Sequence, residues 1–300
     1  MKIFNKNLSE EIVNKIISKV KEKKELSNIE NSYVKNILRK ELAKNTKLVD
    51  FLKEHELKTL NRSSKYKELI KKIRAHLRRV YGVFVAESSE KREKLLEKLT
   101  NTQGNRKEIH KKLLETHLST KERVPHYKKI YQKIWEFTKK PKIILDLGCG
   151  LNPLSFPWMN LNRVDYLAVE LNKKDCEFLN RYFKIIKDSG LHGNAKAIDL
   201  TNEIKKIESL PKSDVCFMLK ILDTIEEGQK GHKRSEELIK KAPCRFIVAS
   251  FPTATISQKE MPGSKNKRAW LEKLCERLKF DFKKFEVSNE LFYIIDKKED

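Results

Sequence analysis

From Leu8 to about Leu99, apolar residues recur three and four positions apart, as in Ile12, Ile16, Ile17 and Val20, in Leu48, Phe51 and Leu52, and in Leu69, Ile70, Ile73 and Leu77. That spacing lines one side of a helix. The stretch holds a single glycine, Gly82. Breaks near Ser27-Asn28, near Asn45-Thr46 and from Asn61 to Ser64 cut it into several short helices whose polar sides carry many Lys and Arg. A further break follows at Asn101 to Asn105, and a helical stretch from Lys107 through Trp135 leads to Pro141.

Beyond Lys142 the period changes. Short β-rich runs (KIILDL, DYLAVEL, AKAIDL, DVCFMLKIL, CRFIVASF) alternate with amphipathic segments, among them NKKDCEFLNRYFKIIKDSG, TNEIKKIESL, EEGQKGHKRSEELIKKA and KNKRAWLEKLCERL. Strands with so few polar residues are covered on both faces, which predicts an α/β fold with a doubly wound parallel sheet. The last two runs, FDFKKFEV and ELFYIID, are separated by Ser288-Asn289 alone, a hairpin spacing that puts an antiparallel strand at the sheet edge. The predicted organisation is a basic α-helical domain over residues 1–105 and a Rossmann-like domain over 106–300.

The charge, +24 from 66 basic and 42 acidic residues, changes the picture by pointing to a polyanionic partner. A polyanion releases counterions on such a surface, and nucleic acid is the obvious one. Charged helix faces also simply hold water, so no single lysine of the helical half is assigned to RNA. The five cysteines (Cys149, Cys176, Cys216, Cys244, Cys275) form no C-x-x-C pair, which fits neither a zinc site nor a disulfide framework but a reducing cytoplasm. The first residues lack an uninterrupted apolar core, and no stretch reaches the roughly 20 apolar residues of a membrane helix. No membrane partner is expected.

The candidate chemistry lies at the predicted strand ends. KIILDL runs into Gly148-Cys149-Gly150, where missing side chains let backbone approach a ligand in the crevice beyond the strand. Asn152-Pro153 stands where a third glycine would complete a dinucleotide fingerprint, which disfavours a pyrophosphate. Asp146 precedes the glycines, Glu170 closes the next strand where an acid can take both ribose hydroxyls, and Asp199 ends the third, within reach of an adenine amino group. Singly each acid could be a helix N-cap, Asp199 most of all. As a set they outline an adenosine pocket.

HLSTKERVPHYKKIY, ILDLGCGLNPLSFPWM, FMLKILDTIEEGQ and VASFPT together resemble the FmrO-type aminoglycoside-resistance methyltransferases, from about Glu115 to the C-terminus. The helical half matches that family in kind only. The resemblance implies a class I S-adenosylmethionine-dependent methyltransferase that modifies guanine N7 in the decoding site of 16S rRNA in the small ribosomal subunit; a monomer is the default expectation, because the ribosome supplies the large partner surface. It implies that Arg123 pairs with the methionine carboxylate, that Gly148 and Gly150 line the methionine end, and that Glu170 holds the ribose, with Asp146 kept among the cofactor-binding acids. Asp199 and the backbone of Leu200 would recognise adenine, and Lys220 with Ser250, Phe251, Pro252 and Thr253 would lie near the target base. The chain departs from the family at Ala254, where a basic residue usually follows SFPT; Lys259, Lys265, Lys267 and Arg268 are the candidates to replace that charge.

Guanine N7 has a lone pair and no proton to lose, so the chemistry calls for alignment and water exclusion rather than a general base, and no catalytic acid, base or metal is assigned. Leu219-Lys220-Ile221-Leu222 stands where exocyclic-amine methylation would more often show an Asn/Asp/Ser-Pro-Pro-aromatic loop. Cys244 opens a strand among apolar neighbours and reads as a buried thiol, not the nucleophile of a carbon methylase; Cys149 reads as a small spacer. His117 and His126 flank the Arg123 segment and could shape a cofactor entrance, although lone histidines more often pack or cap. Trp135 and Trp158 read as core, and Trp270 as the exposed candidate for stacking on a flipped base or for anchoring its helix. The competing readings are methylation of tRNA or another rRNA position, and a non-catalytic ribosome-assembly factor that keeps the cofactor pocket.

Overall fold

The computed structural model describes residues 1–3, 5–23, 26–27, 29–55, 57–78, 89–226, 231–253 and 268–298. The chain divides into two compact units, Met1–Val85 and Ala86–Asp300.

The first unit pairs the short strands β1 (Lys2–Ile3) and β2 (Lys6–Asn7) and continues through α1 (Glu10–Lys21), α2 (Asn31–Ala43), α3 (Thr46–Glu54), α4 (Leu57–Arg62) and α5 (Ser64–Leu77). Ser9 caps α1 by accepting from the Ile12 amide at 3.3 Å, with Glu10 and Glu11 in the first turn and Lys19 and Lys21 in the last, so both ends of the helix dipole are complemented. Asn45 caps α3 in the same way through the Leu48 amide. The apolar stripes meet in a core that fully buries Val13, Ile16, Val20, Val34, Leu38 and Ile73. Arg74 of α5 donates to the carbonyls of Lys19 and Val20, which the end of α1 leaves without helical partners.

The second unit begins with α6 (Ser89–Asn101), α7 (Lys107–Leu114), α8 (Leu118–Arg123) and α9 (Tyr127–Thr138). The helical stretch expected from Lys107 through Trp135 is made of the last three of these. The Thr120 hydroxyl donates to the Leu114 carbonyl and turns the chain between α7 and α8, and Pro125 lies in the turn between α8 and α9. The division falls at 85/86 rather than at 105/106. Although α6 is as charged as the helices before it, Leu96 and Leu99 are buried in the core of the second unit.

The sheet comprises β3 (Ile143–Leu147), β4 (Val164–Glu170), β5 (Leu191–Ala197), β6 (Ser213–Leu219), β7 (Cys244–Pro252), β8 (Asp281–Val287) and β9 (Glu290–Asp296). Its order is β5-β4-β3-β6-β7-β9-β8, parallel through β7 and antiparallel in the closing hairpin, which puts β8 at the edge. Between the strands run α10 (Phe156–Met159), α11 (Lys173–Ile186), α12 (Lys205–Glu208), α13 (Leu222–Ile225), α14 (Lys233–Lys241) and α15 (Ala269–Leu278).

Register makes the layers. Ile144, Val215 and Phe246 are in-register neighbours on one face, packed with Ile130 and Ile134 of α9 and Leu179 and Phe183 of α11. Leu145, Cys216 and Ile247 take the other face with Leu238 of α14 and Leu271 of α15. This is the doubly wound, twice-covered sheet that the strand composition predicts. No helix among the described residues is long and apolar enough to cross a membrane.

Candidate functional site

The carboxyl ends of β3 and β4 carry the first group of expected residues. Gly148 and Gly150 have φ of +69° and +50°, a left-handed conformation that costs a side-chain-bearing residue about 1–2 kcal/mol. A Cβ on Gly148 would stand 2.8 Å from Ile221 Cδ1, and one on Gly150 would stand 3.4 Å from the ring of His117. The amides of this turn face the sheet: those of Gly148 and Cys149 donate to the Val169 carbonyl, and that of Gly150 donates to Glu170 Oε2 at 2.9 Å. The glycines therefore contribute room and backbone conformation, while these three amides serve to hold the turn against β4.

Asp146 is 1% exposed and accepts at Oδ2 from the Tyr166 hydroxyl at 2.5 Å and from Asn152 Nδ2 at 2.9 Å. Its Oδ1 is buried with no partner. Burial lifts its pKa to about 6 against the pull of those two hydrogen bonds. Glu170 is likewise raised to about 7, by burial and then by the Asp175 charge, although the Gly150, Leu171 and Asn172 amides favour its anion. An unmet carboxylate oxygen in a buried cradle suits a ligand that brings N–H or O–H donors and positive charge. The amino group, ribose hydroxyls and sulfonium of S-adenosylmethionine are of that kind.

Asp199 departs from expectation. β5 ends at Ala197, so Asp199 lies in the turn beyond it, and its carboxylate accepts from the Thr201 amide at 2.8 Å, the Thr201 hydroxyl at 2.6 Å and Asn202 Nδ2 at 2.5 Å. A carboxylate has about four acceptor positions, which leaves roughly one for a ligand. Leu200 beside it is buried among the apolar residues of the second face.

The remaining residues converge on one that sequence reasoning missed. Glu290, 4% exposed at the start of β9, takes Arg123 in a two-pronged pair, Nε at 2.9 Å and Nη2 at 2.7 Å. Lys220 Nζ lies 3.5 Å from Glu290 and 2.7 Å from Glu122. Burial alone would raise the Glu290 pKa, but Arg123 and Lys220 outweigh it and the Ser250 hydroxyl adds to the lowering. Lys220 has φ of +59°, and its amide donates to Ser250 at the end of β7. Pro252 pairs directly with Glu290 across the sheet. A Glu heading an edge hairpin looks solvent-facing in sequence; the signal that could have found it is the SFPT strand lying beside it.

Phe251 does not share this site. It is 1% exposed in the core, edge-on to Trp270 and Tyr293, with the Arg268 guanidinium 4.6 Å from its ring centre. Alternation along β7 turns it away from Ser250. Thr253 is buried, with its hydroxyl 3.3 Å from Glu286. Ala254, Lys259, Lys265 and Lys267 lie outside the described residues.

His117 lines the cradle and is held neutral: burial and then the Arg92, Arg123 and Lys220 charges lower its pKa to about 3. Trp135 is core, donating to the Met159 carbonyl, and Trp158 is packed against Tyr127. Trp270 lies flat against His232 at 4.2 Å. All five cysteines are free and buried, and no group of three metal-ligating side chains forms among the described residues.

A doubly wound seven-stranded sheet with an antiparallel final hairpin, and acids beside a left-handed glycine turn at its carboxyl ends, define a Rossmann-like S-adenosylmethionine-dependent methyltransferase. The family model described as ribosomal RNA methyltransferase (FmrO) matches residues 43–294, and the chain belongs to that family. It is similar to the 16S rRNA (guanine(1405)-N(7))-methyltransferase of Micromonospora rosea, 28% identical over 77% of this chain and 83% of the relative. The enzyme of the same description from Proteus mirabilis is 28% identical over 76% and 84%. Among solved structures, the 16S rRNA methyltransferase RmtF in complex with S-adenosyl-L-homocysteine aligns with a TM-score of 0.73 at 22% identity, over 97% of this chain and all of that one. The 16S rRNA methylase ArmA aligns with a TM-score of 0.53 at 26% identity, over 70% and 99%.

Proposed function

We propose that this enzyme transfers a methyl group from S-adenosylmethionine to N7 of a guanine in the decoding site of 16S rRNA, acting on the small ribosomal subunit. The observation that carries the reading is the run of similarity to enzymes of that description across three quarters of the chain. When bound, the cofactor supplies an electrophilic methyl on a positively charged sulfur.

The chain's residues do the rest. Asp146 Oδ1 accepts from the amino group and Glu170 from the ribose hydroxyls. Arg123, fixed by Glu290, meets the methionine carboxylate, while the last acceptor position of Asp199 and the backbone of Leu200 recognise adenine. On the opposite side Lys220, Ser250, Pro252 and Thr253 border the target base; Phe251 supports them from the core. Because N7 carries no proton, holding the base in line and excluding water accounts for the chemistry. The basic N-terminal unit is an RNA-binding module, and the enzyme acts as a monomer in the cytoplasm, a reducing compartment that suits its five unpaired buried thiols. Likeness to the 16S rRNA methylases supports a role in aminoglycoside resistance.

The test is transfer from labelled cofactor to purified small subunits, naked 16S rRNA and tRNA, with the product mapped by cleavage at N7-methylguanosine. Label confined to a decoding-site guanine of the subunit is the expected result; label on tRNA, or cofactor binding without transfer to any RNA, overturns it.

A further inference from the structure

Helix α6 delivers a buried guanidinium to the first turn of α11, and none of the roles above uses it. Arg92 is 7% exposed; its Nε donates to Thr116 Oγ1 at 3.1 Å and its Nη1 to Asp175 Oδ1 at 3.1 Å. Its Nη2 is buried without a hydrogen-bond partner. One residue on, Glu93 takes Arg181 through contacts of 2.8 and 2.6 Å, so α6 is fastened to α11 by two opposite-sense ion pairs. Both partners of Arg92, the buried Thr116 and the half-buried Asp175, adjoin the glycine cradle: Thr116 precedes His117, whose ring stands against Gly150, and Asp175 follows Glu170 in the turn capped by Asn172.

We propose that Arg92 is a positioning residue for the ribose end of the cofactor site: by clamping Thr116 and Asp175 together, it fixes His117 and Glu170 as two sides of the glycine cradle. The inference rests on the reading that Glu170 holds the ribose hydroxyls. A guanidinium suits this task because its planar fork meets two partners in fixed directions, and a lysine's single ammonium could not.

The clamp also governs charge. The groups facing Glu170 are the Asp175 carboxylate, the Cys149 and Cys176 thiols and the amides of Gly150, Leu171 and Asn172. Of these, Asp175 is the one that pushes the Glu170 pKa up beyond what burial does, to about 7. Arg92 lies against that same carboxylate and offsets its field. Without Arg92, Asp175 acts on Glu170 in full, the protonated acid persists to higher pH, and the charged acceptor for the hydroxyls is lost near neutrality.

The experiment is S-adenosyl-L-homocysteine binding by calorimetry on the full-length protein, across about pH 6 to about pH 9, for wild type, Arg92→Met, Asp175→Asn, the double variant and Glu170→Gln. The expected result is an Arg92→Met loss of about tenfold in affinity at pH 7, with the pH midpoint of binding moved up by about one unit, since one pKa unit corresponds to a factor of ten. Asp175→Asn moves the midpoint down, and the double variant returns it toward that of Asp175→Asn. An Arg92→Met loss equal at every pH, or an Asp175→Asn midpoint identical to wild type, overturns the proposal while a weakened Glu170→Gln keeps the ribose reading. Unchanged binding by Glu170→Gln sinks both. If Arg92→Met fails to fold, the direction of the Asp175→Asn shift decides alone.

Discussion

The two walls of the site treat charge in opposite ways. On the β3–β4 side, Asp146 and Glu170 are acids held in a cradle whose burial works against their ionisation, and Asp146 keeps an oxygen with no partner. Across from them, Arg123, Lys220, Glu290 and Glu122 alternate in sign, each charge met by its neighbour. The first wall is incomplete without a ligand; the second is complete before one arrives. On the proposed reading, a cofactor rich in donors and positive charge meets the open acceptor of the first wall, and Arg123 of the second, already fixed by Glu290, orients its carboxylate end.

The comparison breaks most sharply at Glu290. Glu290→Ala leaves Arg123 buried and unpaired, and loss of one partner of a buried pair costs about 3–5 kcal/mol. Denaturant unfolding should show that loss, and a protein of unchanged stability would mean that the second wall is not a closed circuit.

The acid wall should give the reverse sign. With Asp146 at about 6 against an ordinary 3.8, and Glu170 at about 7 against 4.5, the native chain holds protons that the unfolded chain has released. Stability of the ligand-free protein therefore falls as pH rises from about 4 to about 7, and the penalty is complete above that window. Asp146→Asn should match wild type near pH 4 and exceed it by on the order of 1–3 kcal/mol at pH 8, while binding S-adenosyl-L-homocysteine more weakly. Thermal melts at the two pH values check this; a variant less stable than wild type at pH 8 contradicts it.

The smallest effect belongs to Glu122, whose side chain is 47% exposed. Glu122→Gln should change stability by less than about 1 kcal/mol, because solvent screens such a pair. Its effect should appear instead in methyl transfer, since Lys220, which we propose borders the target base, loses one of its two anchors.

How much of this was legible depends on how local the determinant is. The strand ending at Leu147, the glycine turn and Glu170 follow from one continuous apolar run and its spacing, and the sheet's two faces follow from strand composition. Asp199 did not, because the real edge strand begins with Leu191-His192-Gly193-Asn194, a polar start tolerated at an edge that reads as loop and shifts the strand end. Phe251 was misplaced because a motif string names neighbours without saying which face each takes. Helix α6 reads with the helical half since its charge resembles the preceding helices; only Leu96 and Leu99 reveal the core it joins. Arg92 and Glu290 were invisible for a common reason: their partners are remote in sequence, and a long-range ion pair has no periodicity.

That remoteness has a consequence for how the enzyme comes into being. Arg123 and Glu290 are 167 positions apart, and β9, which carries Glu290, fills the place between β7 and the edge strand β8. The acid wall draws on residues between Asp146 and Asn172, whereas the second wall joins a helix that precedes the sheet to its closing hairpin. Closure of the second wall therefore requires the whole span from Arg123 to Glu290 to be present at once.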